Sequence, residues 1–160
     1  MAGVAKYFNG NIFNKSNEEV DLNARKYRRK IIGLYFSAHW CSPCLTFTPK
    51  LIEFYRAHAE EKKFEIIFLS SDYDEQSFYN YYQYMTWLRL DYRDRVKKQE
   101  LEYRFGVNGI PRLILLDGDT GDVILTDARE HIERLDPQGQ YFPWSNVERE
   151  PSSCCSCSLM

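Results

Sequence analysis

Ile31–Cys44 reads IIGLYFSAHWCSPC. Its first seven residues are a nearly unbroken apolar, β-branched and aromatic run, the pattern of a strand buried on both faces. Ser37-Ala38-His39 ends the run, and the residues after Cys44 read as a helix. The stretch is therefore a strand, a tight turn and a helix start, with Cys41 and Cys44 at the junction. Cys41 falls at or just before the first helical turn. Unpaired backbone N–H groups and the positive end of the helix dipole favour a thiolate there. Such a position lowers a cysteine pKa from ~8.5 to between ~3.5 and ~7.5. Cys44 lies one turn further on, within reach of the Cys41 sulfur. Pro43 falls in the first turn, where a missing N–H costs little. A pair so placed is suited to cycling between dithiol and disulfide.

The rest of the 160-residue chain sets the frame. At 44% hydrophobic and 16% aromatic, it has material for one sizeable core. A net charge of −2 argues against nucleic acid and against an anionic membrane surface as partners. No apolar run reaches the ~18 residues of a transmembrane helix. The N-terminus lacks the apolar core of a signal peptide, and Ala2 stands where myristoylation needs glycine. The five cysteines fall in two groups, Cys41 and Cys44, then Cys154, Cys155 and Cys157. That spacing does not match a secreted disulfide framework, so a reducing, cytoplasmic location is expected.

Along the chain, Val4–Phe8 reads as a short helix. Ile12-Phe13 and Val20–Leu22 read as short strands around a polar turn. The basic cluster Lys26–Lys30 reads as a solvated approach to the central strand rather than an anion site. A helix over Leu45–Ala59 carries Pro49, which should kink it. Phe64–Ser71 is a second core strand. Asp72 is placed to cap a tyrosine-rich helix from Asp74 to about Tyr84. Trp87–Leu90 is extended, and Arg93–Phe105 is a helix ending at Gly106. Arg112–Leu116 and Val123–Thr126 flank a hairpin turn. Asp127–Leu135 is a last helix, after which Phe142-Pro143-Trp144 packs back onto the body. This order implies an α/β protein: a right-handed parallel crossover plus an antiparallel edge, in a mixed sheet flanked by helices.

These residues resemble the thioredoxin superfamily, and within it the tryparedoxin and nucleoredoxin branch. The matching stretches are YFSAHWCSPC (Tyr35–Cys44), FTPKLIEFY (Phe47–Tyr55), FEIIFLSSD (Phe64–Asp72), YRFGVNGIPRLILLD (Tyr103–Asp117), TGDVI (Thr120–Ile124) and DPQGQYFPW (Asp136–Trp144). C-x-x-C-x-x-F-T-P-x-L-x-x-F-Y is far more specific than C-x-x-C alone. The resemblance implies a thioredoxin-like fold over residues 1–144 and thiol–disulfide exchange as the activity. Cys41 matches the attacking cysteine and Cys44 the resolving one. Ile110-Pro111 matches the family's cis-proline, with Ile110 offering backbone groups to a substrate strand. Trp40 is expected at the rim as a flat apolar surface, and Arg129 matches an arginine that the family uses at its thiol ligand.

Three positions depart from the pattern. Ser42-Pro43 stands between the cysteines where thioredoxins have Gly-Pro and tryparedoxins Pro-Pro. Tyr35 stands where many thioredoxins bury an aspartate, leaving proton transfer for Cys44 to water or another group. Ser71 stands where tryparedoxins place a tryptophan at their glutathione–spermidine ligand. The expected enzyme is a monomer that reduces protein disulfides. Glutathione-like thiols, trypanothione or a thioredoxin-type protein are the candidate donors, and neither cofactor nor metal is expected. A zinc site needs four ligands, which only the tail cysteines would complete here. The alternative is a redox-sensitive binding module without significant reductase turnover.

Residues 145–160 read as a flexible, cysteine-containing tail. Cys157 stands four from the end, and Met160 is a terminal residue typical of farnesylation. One prenyl chain binds membranes weakly, and Cys154 and Cys155 offer a second signal by palmitoylation. The expectation is a cytoplasmic enzyme held at a membrane by its tail. The plainer alternative is an unmodified tail.

Overall fold

The computed structural model describes residues 3–145 and, as a strand, Cys157–Ser158. The chain begins with a 3-10 turn over Gly3–Tyr7 and the strand β1, Ile12–Phe13. β2 is Ile31–Ser37, α1 Ser42–His58, β3 Phe64–Ser70, α2 Glu75–Tyr82 and β4 Leu88–Leu90. Then come α3 (Arg95–Arg104), β5 (Gly109–Ile110), β6 (Arg112–Asp117), β7 (Val123–Leu125), a π-type turn over His131–Leu135, and β8 (Cys157–Ser158). Six strands form one mixed sheet in the order β1-β4-β3-β2-β6-β7. β2 runs parallel to β3, and β3 to β4; β6 runs antiparallel to β2. This is the thioredoxin-like α/β fold expected from the sequence.

β2 is central because both of its faces are buried, and it separates two apolar layers. Leu34 and Phe36 share one layer with Cys41, Cys44, Leu69 and Ile110. Tyr35 lies in the other, with Phe47 and Leu51 of α1 and Phe68 and Trp87. Glycine at position 33 follows from close packing: a Cβ there would come 2.9 Å from Leu113 Cδ1 and 3.1 Å from the Phe64 ring. The C-terminal aromatic segment folds back as expected. The Trp144 ring stacks on His131 at 4.8 Å, and its Nε1 donates to Asp136 at 2.8 Å.

α1 starts at Ser42 with Cys41 as its N-cap, in keeping with Cys41 just before the first helical turn and Pro43 within it. Three local expectations are corrected. Val20–Leu22 is not a strand. After the Val20 N–H reaches the Ile12 carbonyl, the Asp21 carboxylate takes the Asn23 N–H and turns the chain away. Asp74, not Asp72, caps α2, accepting from the Ser77 N–H at 2.7 Å. The last helix does not begin at Asp127. The Ala128 N–H bonds the Leu113 carbonyl at 2.8 Å, so this stretch prolongs the sheet edge before turning.

Of the tail expectations, Cys154 and Cys155 lie outside the described residues, and Cys157 is described through its backbone pairing alone. No helix among the described residues is long and apolar enough to cross a membrane.

Candidate active site

The site is built where β2 hands over to α1. Cys41 has extended backbone angles, φ −98° and ψ 116°, and Ser42 and Pro43 open the helix behind it. First-turn N–H groups lack intrahelical partners and crowd positive potential around this position. Cys44 follows within the first turn. Both cysteines are buried and in the thiol state. The Cys41 Sγ–H donates to the Ile110 carbonyl at 3.8 Å, and the Ile110–Pro111 bond is cis. Two segments far apart in sequence thus meet at one sulfur.

The turn between β2 and Cys41 is held from the end of β3. The buried Asp72 carboxylate accepts the His39 N–H at 2.7 Å and the Ser70 hydroxyl at 2.6 Å. The Ser71 N–H donates to the Ser37 carbonyl at 2.9 Å, and Trp40 Nε1 donates to the Ser71 carbonyl at 2.8 Å. Arg95 Nη1 reaches the Ser70 carbonyl at 2.7 Å, and the Tyr92 hydroxyl reaches the Asp72 carbonyl at 2.8 Å. Sequence reasoning missed Asp72 in this role. Its signal was the Ser-Ser-Asp ending of β3, which reads equally well as a helix cap.

Behind the cysteines runs a buried chain of hydroxyls. Tyr35 Oη lies 2.6 Å from Thr48 Oγ1, Thr48 Oγ1 2.5 Å from Tyr81 Oη, and Tyr81 Oη 2.7 Å from Ser37 Oγ. Burial pushes the Tyr35 phenol well above its ordinary pKa and Tyr81 up to about 12; a negative charge on Cys44 adds to both shifts. The two phenols therefore keep their protons across the working pH range. In the sequence Thr48 stood out only as part of the F-T-P motif and Tyr81 only as one tyrosine of a tyrosine-rich helix, with no role assigned to either.

At the rim, the half-exposed Trp40 ring stacks on the exposed Tyr73 ring, with centroids 5.2 Å apart and planes 7° from parallel. Both line a groove of about 600 Å³ with Ser71, Arg95, Lys98 and Val107. The Ser71 hydroxyl is buried there without a protein partner, and Lys98 pairs with Glu102 at 2.8 Å. Arg129 follows the 126–128 stretch that edges β6, and its guanidinium pairs with Glu133 at 3.7 Å. Among the described residues, no cluster of three or more His, Cys, Asp or Glu side chains is arranged to hold a metal.

A mixed sheet whose central strand delivers a C-x-x-C pair to a helix N-terminus, opposite a cis-proline, defines the thioredoxin-like class of thiol oxidoreductases. The chain belongs to the thioredoxin-like family, whose family model matches residues 29–123. It is 44% identical over 148 residues to tryparedoxin of Trypanosoma brucei brucei, covering 91% of this chain and 100% of that protein. It is 45% identical over 114 residues to nucleoredoxin of Danio rerio, covering 71% of this chain but only 27% of that longer protein. The solved structure of a tryparedoxin II complexed with glutathionylspermidine superposes with a TM-score of 0.84 at 37% identity, covering 89% of this chain and 99% of that one.

Proposed function

We propose that the protein reduces protein disulfides through the Cys41/Cys44 dithiol. The observation that carries this reading is the Cys41 thiol at the N-cap of α1, 3.8 Å from the Ile110 carbonyl beside Pro111. Ionised Cys41 attacks a substrate disulfide, forms a mixed disulfide and expels the first substrate thiolate. Cys44 then attacks the Cys41 sulfur and expels the second. Each exchange breaks one S–S bond and makes one, and two electrons pass to the substrate. The helix N-terminus favours the Cys41 thiolate. The phenols of Tyr35 and Tyr81, protonated and electrostatically coupled to Cys44, supply a polar hydroxyl surrounding for Cys44 as it loses its proton, in place of the aspartate found in many thioredoxins.

The return of electrons is assigned to a thiol donor: a glutathione-like thiol, trypanothione or a thioredoxin-type protein. The glutathionylspermidine held by a related tryparedoxin II supports the first two. In this chain the Trp40–Tyr73 stack is proposed as the donor's apolar platform, and Arg129 as a partner for its carboxylate. The enzyme is proposed to act as a cytoplasmic monomer, without cofactor, metal or nucleic acid. Membrane anchoring through a lipidated Cys157, with Cys154 and Cys155 as the second signal, is a separable proposal that rests on the sequence alone. Equal solubility of the chain and its Cys157→Ser variant in eukaryotic fractionation would remove it.

The test of the main reading is insulin reduction with dithiothreitol. Acceleration is expected and should be abolished in Cys41→Ser, while Cys44→Ser should accumulate the enzyme–insulin mixed disulfide. No acceleration by the unaltered protein would replace this reading with a redox-sensitive binding module.

A further inference from the structure

The groove beside Trp40 holds polar groups that the protein leaves unused. Its volume of about 600 Å³ suits a small peptide. The stacked Trp40 and Tyr73 rings line it, and so does Ser71. Ser71 is 7% exposed, and among the described residues its hydroxyl has no hydrogen-bond partner. Arg95, in the first turn of α3, lines the same groove. Its Nε donates to the Tyr92 carbonyl, and its Nη1 to the Ser70 carbonyl at 2.7 Å, one peptide unit from Ser71. Among the described residues Arg95 makes no ion pair, and its Nη2 has no hydrogen-bond partner. An unused guanidinium N–H pair and a buried, unpartnered hydroxyl match an anion with two oxygens, a carboxylate. The acids nearest Arg95 in electrostatic terms are Asp72, Glu102 and Asp94. Each already holds a partner: Asp72 the His39 N–H and the Ser70 hydroxyl, Glu102 the Lys98 ammonium, Asp94 the Lys97 N–H and the Asn11 amide.

We propose that this groove takes the terminal carboxylate of the thiol donor, held by Arg95 and Ser71, and so selects a thiol peptide with a free C-terminus over its polyamine amide. The inference rests on the dithiol reading given above and names the donor class for it. Joining the terminal carboxyl to a polyamine, as in glutathionylspermidine, replaces the anion with a neutral amide and adds ammonium groups. Those ammonium groups meet Arg95 and Lys98, both cations, while every nearby carboxylate is engaged. Selectivity of this kind comes from repulsion as much as from attraction. A glutathione-type thiol carries a second carboxylate at its other end, and that is the one assigned to Arg129. In the exchange, the donor thiolate attacks the Cys41 sulfur of the Cys41–Cys44 disulfide. That bond breaks, a donor–Cys41 bond forms, and Cys44 leaves as thiolate. A second donor thiolate attacks the first donor's sulfur, Cys41 leaves as thiolate, and the two donors depart as a disulfide. Two electrons pass from two donor thiols to the protein.

The experiment uses the full-length protein oxidised to the Cys41–Cys44 disulfide and follows its reduction by stopped-flow tryptophan fluorescence. The reductants are glutathione, its glycine amide and glutathionylspermidine. Each rate is divided by the same thiol's rate with a small aromatic disulfide, which removes differences in thiol reactivity. Glutathione is expected to be at least ~10-fold faster than the other two, the scale of one hydrogen bond to a charged group. Ser71→Ala removes no hydrogen bond among the described residues, and it should narrow that preference roughly 2- to 10-fold. Arg95→Lys keeps the charge but loses the planar fork, and it should narrow the preference as well. Because Arg95 also holds the Ser70 carbonyl, Ser71→Ala decides alone if Arg95→Lys fails to fold. Equal normalised rates for the three thiols, faster reduction by glutathionylspermidine, or an unaltered preference in Ser71→Ala would overturn the proposal. Dithiothreitol, which has no carboxylate, is the control. If it fails to return the oxidised protein to a Cys41 thiol, the dithiol reading itself falls, and the proposal with it.

Discussion

The Cys41 thiol and the Ile110 carbonyl meet at 3.8 Å although 69 positions separate them in the chain. β2 and β6 are paired antiparallel, with Phe36 opposite Arg112, so the end of β2 and the start of β6 leave the sheet side by side. The turn after β2 carries Cys41, and the residues before β6 carry Ile110 and Pro111. The redox site is therefore a consequence of strand register, and its stability depends on the contacts that hold the β2 turn.

Asp72→Ala should destabilise the protein while leaving both cysteines in place. It leaves the part-buried His39 N–H and the buried Ser70 hydroxyl without their acceptor, at a cost of about 2–3 kcal/mol. Chemical denaturation should show that loss, with Asp72→Asn retaining part of the stability. A change under 0.5 kcal/mol would mean that the turn is held elsewhere.

Tyr81→Phe removes the hydroxyl shared by Ser37 and Thr48. The expected cost is about 1–2 kcal/mol, or a fall in Tm of roughly 3–6 °C. Stopped-flow measurement of mixed-disulfide decay should also show a slower resolving step, because a hydroxyl electrostatically coupled to Cys44 is lost. An unchanged decay rate would limit the hydroxyl chain to a structural role.

Glu65 supplies a pH-dependent term. Burial raises its carboxyl pKa above the ordinary 4.5, against the lowering effect of hydrogen bonds from the Ile66 N–H and the Tyr55 hydroxyl. The folded state holds this proton more tightly than the unfolded chain. Its contribution to stability is therefore fully present below 4.5 and is lost as pH rises through the raised folded value. Glu65→Gln, which keeps an oxygen for both donors, should raise stability at neutral pH and change it little in acid. Denaturation curves across that window would check the sign; a larger gain in acid than at neutrality would contradict it.

Tyr73→Ala removes the ring stacked on Trp40. Tyr73 is 79% exposed, so stability should change by less than about 0.5 kcal/mol. A lost stack of about 0.5–1.5 kcal/mol should appear as a roughly 2- to 10-fold rise in KM for the thiol donor, with kcat retained. Unchanged KM would remove the platform from donor binding.

What the sequence by itself determined is local. Ile31–Ser37 is apolar enough to name a strand buried on both faces. Cys41 and Cys44 are spaced for one helical turn, Gly106 marks the end of α3, and the Asp117–Asp122 turn separates β6 from β7. The long elements followed, and with the quoted motifs so did the fold. Where local reading went astray, a distant partner had won: Leu113 holds Ala128 to the sheet and delays the last helix, and His39 claims Asp72 from the helix it was expected to cap. The tertiary structure alone decided which backbone group meets the Cys41 sulfur, which hydroxyls line up from Tyr35 to Ser37, and that Cys157 lies in register with Ile110. These contacts join residues far apart along the chain. They depend on strand register and helix placement, which the whole core sets by burying its apolar surface on both faces of β2, and no short stretch of sequence encodes them.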